Sequence, residues 1–111
     1  MDRLRLRSSF LAVQHRGRRL PGHNLVVYVL PRPLQDRQLR ARMGLVVSKK
    51  VGNAVVRNRV KRWIRECYRR MDPPVPLGID LVVIARPSEA KSSYHRTARE
   101  MSDLVRRMAN P

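Results

Sequence analysis

The sequence predicts an α+β sandwich: one domain over residues 1–111, with three helices packed on a small mixed four-stranded sheet in the order α-β-β-β-α-β-α. Three observations predict it. Residues 54–71 and 88–108 carry apolar side chains at helical spacing. Residues 25–30, 42–48 and 79–85 are β-branched runs too short for helices. A chain of 111 residues with no internal repeat and no linker fits a single core.

The elements follow in order. Ser8 and Ser9 can cap a short first helix in which Leu6, Phe10 and Val13 share a face and Gly17 is the stop. Turn formers in "RGRRLPGHN" precede "LVVYVL", a strand over 25–30. The Pro-containing, polar "PRPLQDRQLRA" reads as a loop. "RMGLVVS", 42–48, is a second strand, expected to pair antiparallel with the first. In the next helix Val56, Val60, Trp63, Ile64, Cys67 and Met71 fall in one apolar sector at 100° per residue. Asn53 is its expected N-cap and "DPPVPLG" its stop. "IDLVVIA", 79–85, is almost wholly apolar and reads as a buried strand. Tyr94, Ala98, Met101, Leu104, Val105 and Met108 then give the last helix an apolar face. Packing all these faces together requires helices layered on a sheet.

Charge narrows the function. Lys and Arg number 25 against 8 acids, a formal net charge of +17. That excess destabilises a compact chain through self-repulsion, so a polyanionic partner is expected. Nucleic acid fits better than a membrane, because no segment approaches the roughly 20 apolar residues of a span. The "MDRLRLRSSF" start, with Arg at every second position, offers no continuous apolar region for a signal peptide. A cytoplasmic location is therefore expected. Cys67, the single cysteine, lies on the apolar sector and reads as a small buried hydrophobe.

Nine cations fall between Lys49 and Arg70, with Glu66 as the only acid among them. Asn58, Lys61, Arg62, Arg65 and Arg69 gather opposite the apolar sector, with Arg57 and Arg59 on its flanks. A merely solvated face mixes signs to form i, i+4 pairs, and this one does not. Arginine forks can bridge phosphate oxygens and stack on bases, and Asn58 offers a donor and an acceptor among them. Trp63 belongs to the core side. The histidines, His15, His23 and His95, are far apart, and the acids recur in no paired pattern. Converging carboxylates for two-metal nuclease chemistry are thus not expected, nor is a metal site in the protein. No phosphate-cradling glycine loop is present.

The run "SKKVGNAVVRNRVKRWIRE" closely resembles the signature of the bacterial ribonuclease P protein subunit, centred on Arg57, Asn58 and Arg59. "RMGLVVSKK" and "DLVVIARP" resemble the strands on either side of that signature. Arg7, Phe10 and Gly17 match the family's first helix, so the likeness covers most of the chain. The resemblance implies a division of labour in which a catalytic RNA, with Mg²⁺, removes the 5′ leader of precursor tRNA. The protein would bind that RNA and the leader, without a catalytic centre of its own and with no obligate protein partner. It also implies a left-handed strand–helix–strand crossover, against the usual hand.

Carried over by position, Arg57, Asn58, Arg59, Lys61, Arg62, Arg65 and Arg69 would face the catalytic RNA. Phe10, Tyr28, Lys49, Lys50 and Asn53 would line or rim a leader groove between the first helix and the sheet. Ordinary core is the equally open reading of Phe10 and Tyr28. Gln14 stands where some members carry a second aromatic, which implies weaker leader stacking here. Two other readings remain: a small basic ribosomal or DNA/RNA-binding protein with no part in cleavage, and a stand-alone nuclease. The first lacks a glycine-bearing turn between closely spaced helices. The second lacks carboxylate pairs.

Overall fold

The computed structural model describes residues 2–108, with Asp2 described by its backbone alone. Its elements are β1 (Asp2–Arg3), α1 (Arg7–Arg16), β2 (Arg18–Pro21), β3 (Leu25–Pro31), β4 (Arg42–Val46), α2 (Ala54–Arg69), β5 (Ile79–Ala85) and α3 (Tyr94–Met108). Short 3-10 turns lie at Leu34–Asp36 and Pro87–Lys91. The sheet order is β1-β4-β5-β3-β2. The four strands β2–β5 form the expected mixed sheet, and the two-residue β1 adds to its edge.

Period-two alternation sorts each strand between two layers. Leu25, Val27 and Val29 of β3, Met43 of β4, and Leu81, Val83 and Ala85 of β5 pack against Val60, Ile64 and Cys67 of α2 and Met101 and Leu104 of α3. The opposite side chains, Tyr28, Leu30, Val46, Val82 and Ile84, meet Phe10 and Val13 of α1. The sheet is therefore sandwiched, with α1 on one face and α2 and α3 on the other. Both cores share β5, whose Leu81, Val82 and Val83 are all fully buried, as its unbroken apolar run implies.

Four expectations are corrected. Strands β3 and β4 run antiparallel but do not pair, because β5 lies between them, antiparallel to β3 and parallel to β4. Centre place goes to the most apolar strand, which has no polar face to show to water. Helix α1 starts at Arg7 rather than behind a serine cap, and Leu6 at its N-cap makes no side-chain capping bond. Leu6 is also 67 % exposed and shares no buried face with Phe10 and Val13. Finally, α3 begins only at Tyr94, where Ser93 Oγ accepts from the Arg96 amide at 3.2 Å; the stretch from Ser88 belongs to the 3-10 turn.

Two glycines are set by close approach. A Cβ on Gly44 would collide with the Phe10 ring, which lies over that point of β4. A Cβ on Gly78 would collide with the Arg37 backbone, and its φ of +77° is itself a glycine conformation. Polar ties close the remaining ends of the sheet. Arg42 and Asp80, directly paired across β4 and β5, form a two-pronged ion pair with both contacts at 2.8 Å. The Glu100 carboxylate accepts from the amides of Asn24, at 3.0 and 3.1 Å, and Leu25, at 2.6 Å, fixing the β2–β3 hairpin to α3.

Candidate nucleic-acid interface

Helix α2 is held in a fixed rotation by what it buries. Val60 and Ile64 are completely inaccessible and Cys67 nearly so, while Val56, Trp63 and Met71 pack partly against the same core. Burying Val60 and Ile64 contributes roughly 1.5–3 kcal/mol each. The like-charged i, i+4 pairs Arg57–Lys61, Lys61–Arg65 and Arg65–Arg69 each cost only about 0.2–0.5 kcal/mol. Packing wins, so the helix tolerates its cationic face. Asn53 Oδ1 accepts from the Val56 amide at 3.0 Å and caps the start, as its sequence position implies.

Just before that cap, Val51 is buried and its amide donates to the Ser48 carbonyl at 3.1 Å. The plugged valine tightens the turn and leaves Lys49 and Lys50 exposed on it. Asn58 and Arg62 stand exposed on the outer face of α2. Among the described residues, no salt bridge involves Arg57, Lys61, Arg62 or Arg65. The buried Arg57 Nε has no hydrogen-bond partner within the protein.

The other signature arginines are differently placed. Arg59 donates from a terminal nitrogen to the Ala90 carbonyl at 2.9 Å, and its guanidinium lies 5.1 Å from the centre of the Trp63 ring. It therefore ties α2 to the 3-10 turn Pro87–Lys91, a scaffold contact that a helical-wheel reading cannot show. Arg69 lies 2.6 Å and Arg70 3.1 Å from the Glu66 carboxylate. The one acid of the run thus offsets charge at the C-terminal end of α2, away from the signature.

Lys61 and Arg65 do not simply face outward. They line an open groove of about 410 Å³ together with Arg3, Leu4, Arg5 and Phe10 and with Met43, Gly44 and Leu45 of β4. Residues expected on two separate surfaces, the signature face and the aromatic groove, are therefore brought together. Phe10 is half-buried: it packs on the second core and also lines this groove. Tyr28 is half-buried in the same core but is not among the groove-lining residues. Lys49, Lys50 and Asn53 are likewise outside its lining, at the N-terminal end of α2.

Sequence reasoning missed Arg3 and Arg5. They are placed by β1, which runs parallel to β4 with Arg3 opposite Met43, while Leu4 is buried and its amide donates to the Met43 carbonyl at 3.2 Å. The Arg-Leu-Arg-Leu alternation at positions 3–6 is itself a period-two strand signal.

Two buried groups have shifted acidities. Burial pushes the Cys67 thiol up to about 11, which makes it an inert core residue. Burial likewise pushes the Glu89 carboxyl up to about 7, with the hydrogen bond from Thr97 opposing the rise and the Glu100 charge adding to it. Among the described residues, no three His, Cys, Asp or Glu side chains gather as a metal-binding group. No helix of the described residues is long and apolar enough to cross a membrane.

A half-buried aromatic ring beside cations that make no salt bridge among the described residues, on a layered α+β scaffold, is the arrangement expected of a basic nucleic-acid-binding domain. The family described as Ribonuclease P matches residues 1–109 of the chain. The ribonuclease P protein component of Desulfovibrio desulfuricans is 48 % identical over 109 residues, covering 96 % of this chain and 82 % of that protein. Its counterpart in Brevibacillus brevis is 41 % identical, covering 95 % and 81 %. Among solved structures, the Thermotoga maritima RNase P protein superimposes with a TM-score of 0.82 at 33 % identity, over 96 % of this chain and 97 % of that one. The Staphylococcus aureus RNase P protein gives 0.82 at 29 % identity, over 99 % and 96 %. The chain belongs to the ribonuclease P protein family.

Proposed function

We infer that the chain serves as the protein subunit of ribonuclease P, acting in maturation of the tRNA 5′ end. It binds the catalytic RNA through the exposed face of α2 and the single-stranded 5′ leader of precursor tRNA through the groove. The observation that carries this reading is the meeting of Phe10 with Lys61 and Arg65 in one open cleft. A flat apolar ring suits a splayed base, and flanking cations suit the phosphates on either side. Base-paired RNA presents no free base face to such a ring, so the cleft favours a single strand. The leader path would run on past Tyr28 towards Lys49, Lys50 and Asn53.

Bond cleavage is assigned to the RNA. Mg²⁺ held by the RNA would supply charge neutralisation at the scissile phosphate. Arg57, Asn58, Arg62 and Arg65 would position that RNA through phosphates and base or sugar edges. Arg59 contributes chiefly by holding α2 to the Pro87–Lys91 turn. The work is expected in the cytoplasm, where precursor tRNA is made.

The test is leader-dependent affinity. Phe10→Leu keeps apolar volume and removes the π surface, so the assembled enzyme should bind precursor tRNA with a long leader about 5- to 100-fold more weakly. Mature tRNA should bind unchanged. An equal loss for both substrates, accompanied by a lower melting temperature, would return Phe10 to the core and remove the leader assignment.

A further inference from the structure

A second cleft lies at the far end of α2, where nothing above assigns a ligand. It encloses about 550 Å³ between Tyr68 and Arg69 of the helix, Arg40 and Ala41 ahead of β4, and the segment Pro74, Val75, Pro76 and Leu77 ahead of β5. Its walls are apolar and unusually stiff, because two prolines carry no rotatable side chain and Tyr68 is half-buried against the main core. Leu77 is 59 % exposed at its edge. Two of its lining residues are cationic, Arg40 and Arg69, and both are exposed.

We propose that this cleft is a nucleotide pocket that takes one unpaired base of the bound RNA, with its phosphates held by Arg40 and Arg69. Charge and continuity select the occupant. On a chain of +17, an apolar slot between two guanidinium groups is complementary to a flat apolar group bearing anions. Arg62 and Arg69 stand exposed on α2, with Arg65 of the Phe10 groove between them in sequence, so a strand that leaves the groove along the helix is led towards the slot. Glu66 engages a single terminal nitrogen of Arg69, at 2.6 and 2.9 Å, and its other guanidinium donors can meet a phosphate. Tyr68 adds a ring and a hydroxyl, the latter at a long 3.5 Å from the Ala41 carbonyl. A tyrosine ring stacks on bases without regard to sequence, so the pocket would select unpaired over paired RNA rather than one base.

This inference rests on the RNA-binding reading, and the experiment separates the two. Amide spectra of the full chain are recorded with a single-stranded pentaadenylate and, in parallel, with an abasic strand of the same length and charge. Expected shifts fall at Ala41, Tyr68, Arg69, Val75 and Leu77 with the first strand and are much weaker with the second. Arg40→Glu changes an exposed side chain whose only described partner contact is through its backbone carbonyl, to Arg32, so folding is preserved. The substitution should abolish the cleft shifts, leave those around Phe10, Lys61 and Arg65, and weaken assembly with the catalytic RNA at least about fivefold. Shifts confined to the Phe10 groove would overturn this pocket and spare the general reading. No shift at either place would overturn both. Equal cleft shifts with the abasic strand would reduce the site to bare charge attraction, and cleft shifts that follow protein concentration instead of RNA would assign the slot to a second copy; either result refutes the proposal.

Discussion

Replacing Glu89 with Gln should remove most of a pH dependence of folding stability that the wild-type chain is expected to show. Glu89 is completely buried, and the Thr97 hydroxyl donates to its carboxylate oxygens at 3.2 and 3.0 Å. Burial raises its pKa from 4.5 to about 7. The folded protein therefore holds this proton more tightly than the unfolded chain does. Its stabilising effect is complete below pH 4.5, declines as the pH rises, and is exhausted above 7. Integrating proton binding for 4.5 unfolded and about 7 folded gives roughly 2–3 kcal/mol lost between pH 5 and 8. Glu89→Gln keeps the shape and an acceptor for Thr97 but cannot ionise. Urea unfolding of both proteins at pH 5 and pH 8, at one ionic strength, measures the effect. The wild type should lose roughly 2–3 kcal/mol more than the variant over that interval. Identical losses in the two proteins would refute the reasoning and mean that Glu89 keeps its charge through solvent access or an unrecognised partner.

Arg59→Ala should cost about 1.5–3 kcal/mol of stability, because it removes a charged hydrogen bond to the Ala90 carbonyl. Arg62→Ala, on the exposed face, should leave urea unfolding unchanged and lower the salt slope of RNA binding by about 0.7–0.9; equal stability losses would erase this distinction. Gly44→Ala should force the Phe10 ring from its place over β4, weakening leader binding in parallel with Phe10→Leu, and unaltered leader affinity would count against the groove. Cys67, buried with its thiol at about 11, should resist iodoacetamide at pH 8 until the protein is unfolded. Rapid labelling of the native chain would place it on the surface.

What could be read from the sequence follows from how local each signal is. Helix α2 was legible because Val60, Ile64 and Cys67 repeat at helical spacing and Asn53 caps locally. Strand β5 was legible because its unbroken apolar run fits only a buried strand. Its position between β3 and β4 was not, since strand order depends on how α2 carries the chain across the sheet. Strand β2 is implied by the four-stranded sheet but has no place in the sequence reading, because it falls in the turn-forming "RGRRLPGHN" stretch and only Leu20 of its four residues is buried. The groove was half legible. Aromatic and cationic residues could be named from the family likeness, but only the fold brings Phe10 of α1 to Lys61 and Arg65 of α2. Arg3 and Arg5 went unnoticed as binding residues although their alternation with leucine was plain. Arg59 shows the converse limit: its place in the signature suggests RNA, and its contacts with Ala90 and Trp63 give it a structural task.

In the proposed division of labour this chain supplies binding and the RNA supplies the chemistry. Its most direct test is cleavage of precursor tRNA at low Mg²⁺ by three preparations: the catalytic RNA alone, that RNA with this protein, and rigorously RNA-free protein. Little cleavage by the RNA alone, release of the 5′ leader at the mature end when both are present, and none by the protein are expected. Specific cleavage by the RNA-free protein, or no gain on adding it to the RNA, would contradict the account.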